Sequence, residues 1–231
     1  MQVDSILNQT TKADCILAWR NYHEDSSTLS LSNIHGLDRW IDSNFNWKFY
    51  GRFAAALLAD TEYVAMFDDD TIPGMEWFDN CLNTMKTHEG ILGSAGVTLH
   101  SGIYIEHTRS GWPSLNEQPE RVDLVGHAWF FKRKWLSYLW AEKPFTWDNG
   151  EDIQFSYLAQ KYGGIQTFTP PHPANNREMH GSLFPYELGA DEKASSCIPD
   201  PEYRKKFTID RDLCVQNALA NGWQTVRGVK L

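Results

Sequence analysis

Three consecutive aspartates, Asp68-Asp69-Asp70, are the residues of this 231-residue chain whose type and spacing point most directly to chemistry. They follow Tyr63–Phe67, a short apolar run that predicts a buried strand. Three like charges at a strand end repel one another unless solvent, hydrogen-bond donors or a cation relieve the repulsion. Mg²⁺ and Mn²⁺ need only one or two carboxylates when substrate phosphates supply further oxygen ligands. The triplet therefore predicts a divalent-cation site, with a solvated turn before Pro73-Gly74 as the structural alternative.

A second polar segment, residues 147–152, precedes a predicted helix over Glu151–Tyr162. Asp148 or Asn149 can cap this helix, and the acidic side chains of Glu151 and Asp152 favour its positive end. A structural role thus explains much of the segment. A functional role depends on whether the segment meets the triplet.

Strand and helix patterns alternate along the chain, which predicts an α/β fold in one domain over residues 1–231, with a helical extension or a linker from about residue 200. The expected architecture is a mostly parallel central sheet with helices on both faces, where ligands bind beyond the carboxyl ends of the strands. The stretch from Leu99 to Glu120 is predicted to be a long loop. The predicted strands are 14–19, 63–67, 91–97, 122–131 and 165–168, and the predicted helices are 3–9, 53–58, 75–85, 132–139 and 151–162.

Three segments in this order resemble the motifs of the GT-A glycosyltransferases: YVAMFDDDT at 63–71 the DXD motif, GHAWFF at 126–131 the acceptor-side strand, and GEDIQ at 150–154 the ED element. Arg52, which precedes Asp68 by 16 residues, is similar to an arginine of exostosin-like members. The resemblance covers Gly51 to Ser182 and implies a GT-A, Rossmann-like fold. It also implies a metal-dependent transferase with Mn²⁺ or Mg²⁺, a UDP-sugar donor such as UDP-rhamnose or UDP-glucose, and a glycan or glycoprotein acceptor.

The resemblance also implies roles for individual residues. Asp70 would ligate the metal, Asp68 would lie nearer the ribose or a metal-bound water, and Asp69 would support them. Arg52 would belong to the nucleotide site, with a surface salt bridge as the alternative. Asp152 would lie beside the anomeric carbon, as general base in an inverting enzyme or as a stabilising group in a retaining one, which the exostosin-like features favour. Glu151 would bind the acceptor or cap its helix.

Two histidines, His172 and His180, follow the last predicted strand, where many GT-A enzymes place a histidine on the metal or the pyrophosphate. His180 is the preferred ligand because His172 lies between prolines, and a solvent-exposed histidine is the alternative. His127 is expected to be a packed strand residue. Trp112 in the long loop and Trp147 beside Glu151 are placed to stack on a sugar, with packing as the alternative.

Composition narrows the class of protein. The net charge of −9 argues against a nucleic-acid partner, and neither a signal peptide nor a membrane-spanning segment is recognisable, so a cytoplasmic protein without membrane insertion is expected. The four cysteines form no CxxC pair, which favours reduced thiols. Two other functions stay open, a Ca²⁺-dependent sugar-binding module and a two-metal nucleotidyltransferase or phosphodiesterase.

Overall fold

The computed structural model describes residues 1–24, 30–184, 187–188 and 198–231, which form an α/β structure. Cys197 lies outside the described residues, and Cys15, Cys81 and Cys214 are free. The strands are β1 (Leu17–Arg20), β2 (Arg39–Asp42), β3 (Tyr63–Phe67), β4 (Gly90–Leu99), β5 (His107–Gly111), β6 (Glu120–Val122), β7 (Leu124–Lys132) and β8 (Gln166–Thr169). The helices are α1 (Gln2–Leu7), α2 (Tyr50–Ala56), α3 (Trp77–Thr87), α4 (Leu136–Leu139), α5 (Glu151–Gly163) and α6 (Pro201–Ala220).

The central sheet is mixed, so the expectation of a mostly parallel sheet is wrong. Its strand order is β3-β7-β4-β8-β6, with β5 on β4, and only the β4–β8 pair is parallel. A parallel neighbour requires a crossover connection, usually a helix. The segment between β4 and β7 forms β5 and β6 instead of the predicted loop, and β7 returns antiparallel between β3 and β4. A separate parallel pair is formed by β1 and β2.

Helices cover both faces of this sheet, as predicted. On β7, the rings of Trp129 and Phe131 contact Phe53 of α2 and Phe155 of α5, respectively. The intervening Phe130 instead contacts Phe78 of α3, because successive strand residues point to opposite faces. The residues of β7 therefore pack against different helices on its two sides, and the strand is buried in the centre of the sheet.

The C-terminal part of the chain is a 20-residue helix, α6, that packs on α5. The side chain of Asp200 caps it by accepting hydrogen bonds from the backbone N–H groups of Glu202 and Tyr203, and Pro201 occupies its first turn. Val215 and Cys214 lie in one buried cluster with residues of α5. Within the described residues, no helix is long and apolar enough to cross a bilayer.

Candidate functional site

The acidic triplet follows β3 directly, and its backbone is held by β7. The N–H of Asp68 donates to the carbonyl oxygen of His127 at 3.0 Å, and the hydroxyl of Thr71 donates to the same oxygen at 3.2 Å. The N–H of Thr71 donates to the carbonyl of Asp68 at 3.1 Å, which closes the turn. Asp68 and Asp70 are half-buried, whereas Asp69 is exposed. The turn thus directs two of the three carboxylates towards the protein.

His127 joins these two carboxylates because β7 carries a bulge at this point. His127 and Ala128 together lie opposite Ser94 of β4, and His127 has a φ of 63°, in the left-handed region. Potential ligand atoms of His127, Asp68 and Asp70 all lie within 4.8 Å of one another. The sequence places His127 correctly in a strand, but a regular alternation does not reveal the bulge that brings its ring to the triplet.

The group of Asp68, Asp70 and His127, here called the acid–histidine group, has the donor set of a Mn²⁺ site. Burial lowers the pKa of His127 to about 4, so its imidazole is neutral at pH 7 and has a lone pair for a metal ion. Two carboxylates and one imidazole leave coordination positions for phosphate oxygens or water. These residues therefore fit the divalent cation that the sequence predicts.

Arg52 of α2 links this group to the start of α5. One nitrogen, Nη1, pairs with Asp68, and Nη2 donates to Oε1 of Glu151 at 2.8 Å. The guanidinium also lies 4.6 Å from the centre of the Trp129 ring. Arg52 is therefore a half-buried cation whose salt bridges join the DXD-like and ED-like segments.

The start of α5 differs from the capping that the sequence suggests. Neither Asp148 nor Asn149 caps the helix: the N-cap is Gly150, with a φ of 82° and no side-chain cap bond. Cys214 of α6 approaches so closely that a Cβ on Gly150 would lie 2.6 Å from its sulfur. Asp148 instead accepts a hydrogen bond from Lys206 at 2.7 Å. The packing of α6 therefore determines the geometry here.

Asp152 is held by a cation that sequence reasoning did not select. Nη2 of Arg211, on α6, lies 2.7 Å from Oδ2 of Asp152, and Oδ1 accepts a hydrogen bond from the N–H of Ile153 at 2.8 Å. The guanidinium of Arg211 also lies 3.9 Å from the ring centre of Tyr104. One signal exists in the sequence: Arg211 falls on the same helical face as Phe207, Cys214, Val215 and Ala218, where a charge needs a buried partner.

Burial dominates the electrostatics of this region. It raises the pKa of Asp68 to about 6, although the nearby Arg52 guanidinium favours the charged form. Burial and the adjacent Asp152 raise the pKa of Glu151 to about 7, against the opposing effect of Arg52 and Arg211. Glu151 can therefore gain or lose a proton near neutral pH, which is the property of a general acid or base.

The remaining predicted site residues lie in other environments. His180 is buried, but it is not part of the acid–histidine group, and its Nε2 lies 2.8 Å from the carbonyl oxygen of Pro173. His172 is also buried and hydrogen-bonded to Pro170 and Gly181. Trp112 is buried, with its ring centre 4.1 Å from that of His127. Trp147 is half exposed and packs edge-on against Tyr50.

No protein-family model matches this sequence, and no curated protein matches it either. A function can therefore be inferred from the motif resemblance and from the geometry of the site. Both concern the same residues, because the DXD-like and ED-like segments meet through Arg52.

Proposed function

We propose that this protein is a metal-dependent GT-A glycosyltransferase that moves a sugar from a UDP-sugar to a hydroxyl group of a glycan or glycoprotein. The observation that carries the proposal is the contact of Arg52 with both Asp68 and Glu151. Residues 68 and 151 are far apart in the chain. Even so, the proposed divalent-cation site, which includes Asp68, and the acid–base candidate Glu151 lie on either side of the Arg52 guanidinium. A transferase needs this juxtaposition of a leaving-group site and a carboxylate.

Asp68, Asp70 and His127 would hold Mn²⁺ or Mg²⁺, with Asp69 exposed beside them. When bound, the cation supplies Lewis-acid stabilisation of the negative charge that develops on the UDP leaving group. In a protein with a net charge of −9, the two carboxylates of the group would otherwise repel a diphosphate. Nucleotide binding should therefore require the cation.

Glu151 and Asp152 would have different tasks, because their surroundings differ. Both oxygens of Asp152 already accept hydrogen bonds, one of them from a buried cation, so this carboxylate is held in one orientation in which it can stabilise an oxocarbenium-like centre. Glu151, whose pKa is about 7, is the better group to accept a proton from an acceptor hydroxyl in an inverting reaction. In a retaining reaction, which the exostosin-like features favour, both would orient and stabilise the donor sugar.

The two rival functions have less support in the described residues. A Ca²⁺-dependent module needs six or more oxygen ligands, whereas the acid–histidine group offers two carboxylates and a nitrogen. A two-metal enzyme needs a second ligand set nearby, and among the described residues the acid–histidine group is the one set of three possible ligands that lie close together. Three free cysteines within the described ranges are consistent with a reducing compartment, so we place the proposed activity in the cytoplasm.

Calorimetry with UDP tests the proposal. We expect UDP to bind in Mn²⁺ and to lose its affinity in EDTA, and we expect donor hydrolysis in a panel that includes UDP-rhamnose and UDP-glucose. Asp70→Asn should abolish both while the protein stays folded. Asp60→Asn is the matched control, because Asp60 is an exposed aspartate before β3, at the opposite end of that strand. Equal UDP affinity in EDTA and Mn²⁺ would show that the proposed function is wrong.

A further inference from the structure

A cavity of about 380 Å³ opens beside the acid–histidine group. One wall is the segment Trp112–Leu115 that follows β5, and the other includes Arg177, His180 and Ser182. The volume is within the range of about 300–1,000 Å³ that is typical of small-molecule sites. The cavity is therefore large enough for a ligand of several heavy atoms.

Three of the side chains that line the cavity are almost completely buried, whereas Ser114, Arg177 and Glu187 are exposed. The relative exposures of Trp112, His180 and Ser182 are 8%, 8% and 5%. The indole N–H of Trp112 has no hydrogen-bond partner among the described residues, which is costly for a buried donor. Nε2 of His180 donates to the carbonyl oxygen of Pro173, so the other ring nitrogen of a neutral imidazole is an acceptor. The cavity thus combines an aromatic ring, a donor, an acceptor and a hydroxyl group.

One wall contacts the acid–histidine group, and the other is hydrogen-bonded to the segment that follows the acidic triplet. The Trp112 ring lies against His127, with 4.1 Å between the ring centres. On the other side, the carbonyl oxygen of His180 accepts a hydrogen bond from the N–H of Gly74, four residues after Asp70, at 2.9 Å. A ligand in the cavity would consequently be separated from the proposed metal site by little more than one aromatic ring.

The charged side chains of the walls give an anionic ligand no net attraction. The positive charge of Arg177 is offset by the carboxylate of Glu187, which also lines the cavity. A neutral ring with several hydroxyl groups fits better, because its apolar face can stack on an aromatic side chain while its hydroxyls use buried donors and acceptors. A pyranose has this chemistry.

We propose that this cavity binds a pyranose ring and that the ring belongs to the acceptor. The assignment to the acceptor depends on the proposed function, whereas the pyranose site does not. If the cavity holds a pyranose, His180 contacts the sugar and not the metal ion. The donor sugar has the same chemistry, so the experiment has to separate the two sources.

Saturation-transfer NMR and calorimetry with the methyl pyranosides of glucose, galactose, mannose and rhamnose provide the test, without metal or nucleotide. We expect at least one glycoside to bind the wild type. Trp112→Ala should weaken that binding roughly tenfold or more, because stacking is lost. Trp112→Phe, which keeps a ring but removes the N–H, and Ser182→Ala should each weaken it several-fold with little risk to folding. Trp40→Ala is the control, since Trp40 is a half-exposed tryptophan of β2 that does not line the cavity.

Competition then identifies the source of the ring. Glycoside binding that persists at saturating UDP-sugar and Mn²⁺ supports an acceptor site, whereas displacement by the UDP-sugar but not by UDP overturns the acceptor assignment. The pyranose site itself is overturned if none of the glycosides binds, or if Trp40→Ala weakens binding as much as Trp112→Ala. Glycoside binding without any metal-dependent UDP binding would support the cavity and reject the glycosyltransferase. UDP binding without glycoside binding would do the reverse.

Discussion

Replacing Glu151 by glutamine should remove much of the pH dependence of folding stability in the metal-free protein. Glu151 is 4% exposed, and its carboxylate is surrounded by Arg52 on α2, Asp152 on α5 and Arg211 on α6, with Asp68 on the far side of Arg52. Burial raises its pKa from 4.5 to about 7. The folded protein therefore holds the Glu151 proton more tightly than the unfolded chain does.

The sign of the effect follows from that difference. A carboxyl group with a raised pKa contributes a stabilisation that is complete below its unfolded pKa, near 4.5, and is lost as the pH rises through its folded pKa, near 7. From these two values, the free energy of unfolding should fall by roughly 2–3 kcal/mol between pH 5 and pH 8 because of this one group. Asp68, whose pKa is also raised, should add a smaller decrease in the same direction.

Urea unfolding in EDTA at pH 5, 6, 7 and 8 measures this decrease. Glu151→Gln should show a clearly flatter pH profile than the wild type, since an amide does not titrate. Glu142→Gln is the matched control: Glu142 pairs with Lys161 near the surface, and its pKa is lowered by the hydrogen bond from that lysine, so it stays charged throughout the range. If Glu151→Gln and the wild type lose the same stability from pH 5 to pH 8, the assignment of the raised pKa to Glu151 is wrong.

Three further predictions concern the metal and the reacting centre. His127→Ala should lower Mn²⁺ affinity roughly tenfold or more, because the metal loses a ligand, whereas His180→Ala should leave the affinity unchanged. Calorimetry measures both affinities, and the reverse result would restore His180 as the ligand. Asp152→Asn should keep UDP and metal affinity but reduce turnover by roughly two orders of magnitude or more, and intact turnover would remove Asp152 from the mechanism. Arg211→Met should reduce turnover in the wild-type background but change it little in the Asp152→Asn background, because Arg211 acts through Asp152. Additive losses of turnover in this double-mutant cycle would exclude that coupling.

Local patterns predicted the parts of the fold that depend on local sequence. The apolar run of β3 has the predicted bounds, and α5 begins at Glu151 as expected. The predicted long loop contains β5, whose sequence HTRSG has only polar residues and glycine. Its pairing with β4 satisfies the backbone hydrogen-bonding groups without burying an apolar face. The sequence of β5 therefore has no alternation of apolar and polar residues from which a strand could be predicted.

The site was predictable where adjacent residues crowd charge, and less so where distant segments meet. The triplet is recognisable in the sequence because three adjacent carboxylates repel one another, and its position after β3 is as expected. The roles of His127 and Arg211 depend on a bulge and on helix packing, which pair residues far apart in the chain. His180 shows the limit of carrying a residue over by resemblance: its place along the chain suited a metal ligand, but its Nε2 is hydrogen-bonded to the carbonyl oxygen of Pro173 and its side chain is not part of the acid–histidine group.

The salt bridge between Arg211 and Asp152 also has a consequence for the order of folding. During synthesis, the N-terminal parts of a chain can begin to fold before the later parts are made. The sheet and α5 are complete in sequence by Thr169, whereas α6 begins at Pro201. Until α6 docks, Asp152 lacks its cation, and the adjacent Glu151 experiences an uncompensated negative neighbour. A partly synthesised chain that ends before α6 would therefore have an assembled sheet but would lack the Arg211–Asp152 salt bridge, and the docking of α6 would complete the site.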